Sequence, residues 1–228
     1  MGFLKIMSNE LLTHEKRVFN IVQEYLNKNR SFKFNEILPF IISRFKMASI
    51  NINVIGIEEI LRNLVKKKII VEGSKLSIDE ILKNQKRKMI YDFILKNPAA
   101  YFYKLVKELK ISNHVVVWHL NMLLKFNFIK KEKFENHNIY FDSNFDVKDS
   151  KFIYITSKEK SKKIIEYLKN YDFGISKSQL SKELKIHPNT ISKYLKLFEQ
   201  FNIIIKKKVS KRIIYFLNDD YFEKSFHT

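Results

Sequence analysis

The chain has 228 residues, with 43 lysine and arginine residues against 24 acidic residues, which gives a formal net charge of +19. It contains no cysteine, so disulfide bonds and thiolate metal sites are excluded, and we expect a cytoplasmic protein. Its 4 glycines exclude a glycine-rich phosphate loop, and no apolar run approaches the roughly 18 residues that a membrane span needs.

The positive charge increases along the chain. Residues 1–80 carry 13 basic and 9 acidic side chains, a net of +4. Residues 81–150 carry 13 and 7, a net of +6, and residues 151–228 carry 17 and 8, a net of +9. A graded positive field attracts polyanions, among which nucleic acid is the commonest. The alternative is that the lysines only keep the protein soluble.

The first third of the chain predicts three helices and a short hairpin. Residues 13–28, THEKRVFNIVQEYLNK, are amphipathic, and residues 34–45, FNEILPFIISRF, form a second helix that is interrupted or bent at Pro39. A long helix begins near residue 55, and residues 69–78 predict a hairpin that turns at Gly73.

An internal repeat organises the rest of the chain. Residues 105–141 align without a gap with residues 180–216, at a constant separation of 75 residues. Both copies contain the sequences KELKI and IYF at matching positions. Such self-similarity indicates one structural unit used twice.

Each copy predicts the same order of elements. An amphipathic helix, 85–97 in one copy and 159–170 in the other, precedes a short helix and a polar break. In this break Ser112 or His187 takes the N-cap position of the longer helix that follows. We expect the Ser112 hydroxyl to accept a backbone N–H there. The longer helix that follows buries one apolar stripe, formed in the two copies by Val116, Leu120 and Leu123 and by Ile191, Leu195 and Phe198. Two β-prone runs with a polar tip end each copy and predict a hairpin.

This order of elements is typical of a winged helix-turn-helix unit. Residues 97–133, NPAAYFYKLVKELKISNHVVVWHLNMLLKFNFIKKEK, resemble the archaeal winged helix-turn-helix transcription regulators, in which a pattern NP…YF..L…L.IS…V.WHL..L…..I is typical. The resemblance covers residues 97–141 well and residues 163–216 less closely. It implies a basic, double-stranded DNA-binding protein that regulates transcription, and in that family a symmetric homodimer is usual.

The expected fold is therefore mainly α with small β-hairpins (α+β), arranged as tandem winged helix-turn-helix domains. Residues 81–150 and 151–228 form the middle and C-terminal units. Residues 55–73, IGIEEILRNLVKKKIIVEG, resemble the same unit more faintly. Residues 1–80 are accordingly a degenerate winged helix, or alternatively an all-helical N-terminal domain.

The C-terminal copy carries the stronger DNA-binding pattern. The outward face of its longer helix offers short polar groups that can reach base edges and lysines that can reach phosphates or guanine. These residues are Asn189, Thr190, Ser192, Lys193 and Lys196. The hairpin sequence KKKVSKR (206–212) would contact phosphates through Lys206, Lys207, Lys208, Lys211 and Arg212.

The corresponding face of the middle copy is more apolar. We expect Asn113, His114, Trp118 and Asn121 to assist DNA binding. Val115, Val117 and Trp118 suggest instead a homodimer or protein-partner surface, and Trp118 fits both interpretations. His119 lies at the edge of the apolar stripe and is predicted to be a packing residue.

Enzyme chemistry has little support in the sequence. None of the 6 histidines shows a metal-binding spacing, and we expect neither a catalytic residue, nor a metal, nor a cofactor. Two other functions remain open. The units could form a scaffold in a protein assembly, such as a basal transcription or membrane-remodelling complex, or they could bind nucleic acid without sequence preference.

Overall fold

The computed structural model describes residues 11–146, 150–209 and 212–218. Within it the chain divides into two compact units, Met1–Phe145 and Asp146–Thr228, called here the first and second units. No helix of the described ranges is both long enough and apolar enough to pass through a membrane.

The first unit contains seven described helices and a three-stranded antiparallel sheet of order β1-β3-β2. Its elements in chain order are α1 Thr13–Lys28, α2 Phe34–Met47, α3 Val54–Lys66, α4 Ile78–Ile81, α5 Gln85–Lys96, β1 Ala100–Tyr101, α6 Phe102–Leu109, α7 Asn113–Lys125, β2 Ile129–Phe134 and β3 His137–Asp142. The β2–β3 hairpin turns tightly, with Phe134 opposite His137.

The second unit repeats the last part of this order. Its elements are α8 Ser150–Thr156, α9 Glu159–Lys169, β4 Ile175–Ser176, α10 Lys177–Leu184, α11 Pro188–Gln200, β5 Ile204–Val209 and β6 Arg212–Leu217. The sheet order, β4-β6-β5, matches that of the first unit. Mixed helices and small antiparallel sheets agree with the predicted α+β class.

The apolar core of the first unit is continuous from Val18 in α1 to Tyr140 in β3. It therefore does not stop at residue 80, which lies within α4. The division of residues 1–150 into an N-terminal and a middle domain stays a prediction.

Three helices share one geometry. Helices α3, α7 and α11 each have 13 residues and each bury their fourth, eighth and eleventh residues. Each is followed by a residue in the left-handed conformation, with φ of 58° at Lys68, 56° at Asn127 and 54° at Asn202. The next N–H then donates to a carbonyl five residues back, at 3.0 Å from Ile69 to Leu64, 2.9 Å from Phe128 to Leu123, and 2.8 Å from Ile203 to Phe198. These bonds form a Schellman motif, which satisfies the last carbonyls of a helix.

The first third thus repeats the helical geometry of the two copies, although its sequence similarity to them is faint. It departs from them after α3, where a single antiparallel bridge joins Ile70 to Ser77. The turn between these residues contains Gly73 at φ 71°, as the sequence predicted. Helix α2 continues through Pro39 as one helix, so the predicted interruption there is wrong, while the alternative of a bend at Pro39 stays a prediction. Pro39 lies in the second turn of α2, where it has no N–H to donate to the carbonyl of Asn35.

Candidate nucleic-acid interface

The N-terminus of α11 is built by His187 and Pro188. His187 occupies the N-cap position, and its Nδ1 accepts the N–H of Asn189 at 3.2 Å. Pro188 is the first helical residue, where its missing N–H has no cost. Ser112 takes the same position before α7 but makes no side-chain cap hydrogen bond, so the expected role of its hydroxyl is wrong. Its side chain is exposed, where water can satisfy the hydroxyl.

The outward face of α11 presents the predicted polar residues. Asn189, Lys193 and Lys196 are exposed, whereas Thr190 and Ser192 are half-buried. The Ser192 hydroxyl donates to the carbonyl of Pro188 at 3.0 Å. Ser192 is therefore restricted to accepting a hydrogen bond from a ligand, while Asn189 keeps both a donor and an acceptor in its side-chain amide.

The β5–β6 hairpin carries exposed cations on both faces of its sheet. Lys206, Lys207 and Lys208 are all exposed, and so is Arg212. Because side chains alternate along a strand, Lys206 and Lys208 lie on the face opposite to Lys207. The predicted Lys211 lies outside the described residues.

The hairpin lysines differ in their surroundings. Lys206 Nζ donates to Glu199 Oε2 near the end of α11, at 2.6 Å, and this hydrogen bond raises the pKa of Lys206. Lys207 Nζ lies 5.2 Å from the centre of the Phe216 ring. Within the described residues, neither Lys208 nor Arg212 has an acidic partner. Of the predicted hairpin contacts, these two are therefore the ones most available to a phosphate.

The outward face of α7 is mixed. Asn113, His114 and Asn121 are exposed, as the sequence predicted. Val117 is 45% exposed and Trp118 is 53% exposed. Val115 packs partly against the core, so the predicted apolar face is reduced to Val117 and Trp118.

His119 is a buried packing residue, as predicted, with 3% of its surface exposed. Its ring meets the Trp118 ring edge to face, with centroids 4.8 Å apart. Burial, reinforced by the positive charges of Arg87 and Lys86, lowers the pKa of His119 to about 4. The imidazole is consequently neutral at pH 7.

The residue that sequence reasoning missed is Arg87. It is 1% exposed, and its guanidinium carbon lies 5.1 Å from the centre of the Trp118 ring. Arg87 precedes the buried Ile90 and Ile94 by three and seven residues, so it occupies the apolar stripe of α5. That spacing is the signal that could have identified it as a buried charge.

Among the residues that the structure describes, no cluster of histidine, aspartate and glutamate could hold a metal ion.

Comparison with known proteins gives one informative similarity. An uncharacterized HTH-type transcriptional regulator of Methanocaldococcus jannaschii is 33% identical to the chain over 155 residues, which is 68% of this chain and 39% of that protein. The chain thus spans about two fifths of the length of this relative. No family model matches the chain, and no solved structure matches it.

Proposed function

We propose that the chain is a double-stranded DNA-binding transcription regulator made of three winged helix-turn-helix domains, residues 1–80, 81–150 and 151–228. The domain formed by residues 1–80 is degenerate. One observation carries the proposal. The C-terminal copy of the repeat contains both an exposed polar and cationic face, on α11, and a cationic hairpin, β5–β6. Similarity to an HTH-type transcriptional regulator supports the same function.

In this proposal α11 enters the major groove. Asn189, with one donor and one acceptor, has the geometry to contact a base edge. Lys193 and Lys196 are exposed one turn further along and contact phosphates or guanine. The hairpin acts as the wing, with Lys208 and Arg212 as its principal phosphate contacts. Because phosphates are the same in every sequence, the wing supplies affinity and α11 supplies specificity.

The middle winged-helix domain, residues 81–150, assists DNA binding in a different way. Asn113, His114 and Asn121 are exposed polar groups on α7 and add contacts to the flanking DNA. The remaining apolar surface, Val117 and Trp118, meets a second copy of the chain or a protein partner. No residue is assigned a catalytic role.

Salt dependence of duplex binding tests the proposal. If about six phosphates are neutralised, the slope of log affinity against log salt concentration is about −5, since each contact contributes roughly −0.9. The measurement uses the full chain and a duplex of random sequence. Selection of bound sequences from a random pool then reports whether a motif exists and whether it is palindromic. Absence of duplex binding at low salt, or a flat salt response, would overturn the proposal.

A second candidate is a protein-assembly scaffold. It is favoured by the N-terminal turn of α3, where Val54 is 48% exposed and Ile55 is 68% exposed. The exposed residues that follow on this helix include Glu59, which would repel DNA phosphates. The first third would then bind protein even if the second unit binds DNA. Ile55→Ser would separate the two functions if it removed partner binding and left DNA binding unchanged.

A further inference from the structure

Arg87 is a buried cation for which the described residues provide no counter-charge. Its Nη1 donates to the carbonyl of Ile81, the last residue of α4, at 2.8 Å. Its Nε is buried and has no hydrogen-bond partner. No acidic side chain of the described ranges forms an ion pair with it, and burial alone accounts for its lowered pKa. An unpaired buried charge costs free energy, because the water that it loses is not replaced.

His119 presents a second unsatisfied group in the same cluster. The side chain is 97% buried, since only 3% is exposed, and its Nδ1 has no hydrogen-bond partner. The charge of Arg87 reaches this imidazole and helps to keep it neutral. Lys86, exposed beside Arg87, adds to the same positive potential. Two buried polar groups and a positive charge therefore lie together, and the part of the chain that the structure describes places no acidic partner on them.

Trp118 separates this cluster from solvent. Its ring lies over the Arg87 guanidinium and against the His119 ring, while 53% of the side chain faces water. A cation–π contact compensates for only part of the lost hydration of a guanidinium. Trp118 itself is half exposed on the outer face of α7, so a ligand from solvent that reaches Arg87 from this side must displace its ring.

We propose that Arg87 and His119, covered by Trp118, form a binding site for a phosphate-type oxyanion. A guanidinium can bind a phosphate through two parallel N–H···O bonds, which would give Nε the partner that it lacks. The imidazole, neutral at pH 7, contributes one further donor. The site takes the phosphate group either of a small molecule or of a nucleic-acid backbone. Its residues all belong to the first unit, so it does not depend on the DNA contacts proposed for the second unit.

The site would also connect two segments of the first unit. Arg87 holds the end of α4 through Ile81, and Trp118 lies on the surface of α7. An anion that recruits the guanidinium competes with the Ile81 bond and displaces the indole ring. Ligand binding would thereby alter the outward face of α7 from within.

The test uses the intrinsic fluorescence of Trp118, which is the single tryptophan of the chain. The full chain is titrated with inorganic phosphate at low concentration, with sodium chloride at matched ionic strength as the reference. We expect a saturable change in Trp118 emission with phosphate and none with chloride. Arg87→Lys keeps the positive charge but loses the planar guanidinium and its two parallel N–H donors. The affinity for phosphate should therefore fall about tenfold or more.

Arg62→Lys is the matched control, because Arg62 is exposed and paired with Glu58; this variant should respond as the wild type does. Far-UV circular dichroism verifies that each variant is folded. His119→Asn provides a second variant, which should weaken the response while it leaves the Arg87–Ile81 bond in place.

The source of the phosphate is resolved by a parallel titration with duplex DNA. A saturable response to inorganic phosphate identifies a free ligand. A response to duplex alone that Arg87→Lys removes, while the duplex still binds, identifies the nucleic-acid backbone. The proposal is overturned if neither probe changes Trp118 emission, or if Arg87→Lys and Arg62→Lys respond alike.

Discussion

Lys206 and Glu199 form an ion pair between strand β5 and the last turn of α11, with Nζ and Oε2 2.6 Å apart. In the proposed complex this pair lies between the two parts of the DNA-binding surface. In that complex the Glu199 carboxylate would neutralise Lys206, one of the proposed wing lysines, and would place a negative charge near the DNA.

Removal of the Glu199 charge should therefore strengthen DNA binding. For Glu199→Gln we expect a higher affinity for duplex and a salt slope that is steeper by about 1, because Lys206 becomes available to a phosphate. The measurement is the affinity at several salt concentrations. Lys206→Ala should cost less affinity than Lys208→Ala, since Lys206 is already paired. A loss of affinity on Glu199→Gln would contradict the proposed position of the wing.

The two repeated helices should differ in their response to substitution. Lys193→Ala combined with Lys196→Ala should weaken duplex binding and make the salt slope shallower by up to about 2, as each phosphate contact contributes roughly 0.9. Val117→Ser on α7 should leave duplex affinity unchanged if that face meets protein. Equal losses from the two variants would mean that both helices contact DNA, and the assignment of roles to the two units would be wrong.

Gly174 should be more sensitive to substitution than Gly73, although both have a positive φ, 68° and 71°. A Cβ on Gly174 would lie 2.6 Å from side-chain atoms of Ile214 and of Phe216, whereas a Cβ on Gly73 would have no atom within 4 Å. Gly73→Ala should cost about 1 kcal/mol from backbone conformation alone. Gly174→Ala should cost about 1–3 kcal/mol more, because the β6 side chains must move. Urea unfolding followed by circular dichroism measures both, and equal losses would show that β6 accommodates the methyl group without strain.

The repeat and its apolar periodicity predicted most of the local structure. The stripe of Val116, Leu120 and Leu123 is buried, and so is His119 at its edge. These features depend on neighbours within one helix, whose spacing is visible in sequence. The left-handed residues Asn127 and Asn202, which follow the two long helices at equivalent positions of the repeat, were not predicted.

The features that sequence did not predict depend on contacts between elements. Arg87 belongs to a charged run, QKRK, that suggests a solvated helix start, yet it is buried beneath Trp118. The pairing of Lys206 with Glu199 requires the distance between a helix end and a strand, which sequence separation does not define. The short α4, which ends at the carbonyl that Arg87 contacts, is too brief for a periodic pattern to identify.

His119 should make the first unit sensitive to acid. Its pKa is about 4 in the folded chain and, exposed in the unfolded chain, about 6.5. Between these values the unfolded state binds a proton that the folded state does not, so stability falls as pH decreases from 6.5 to 4 and changes no further below that. The loss from this one group is at most about 3 kcal/mol.

Urea unfolding followed by Trp118 emission, at several pH values between 7.5 and 4.5, should therefore show a smaller pH dependence of the free energy of unfolding for His119→Gln than for the wild type. His114→Gln is the matched control, because His114 is exposed on the same helix, and it should retain the wild-type dependence. If the two variants lose stability equally steeply toward low pH, the acid sensitivity arises from other groups and His119 does not titrate as its burial requires.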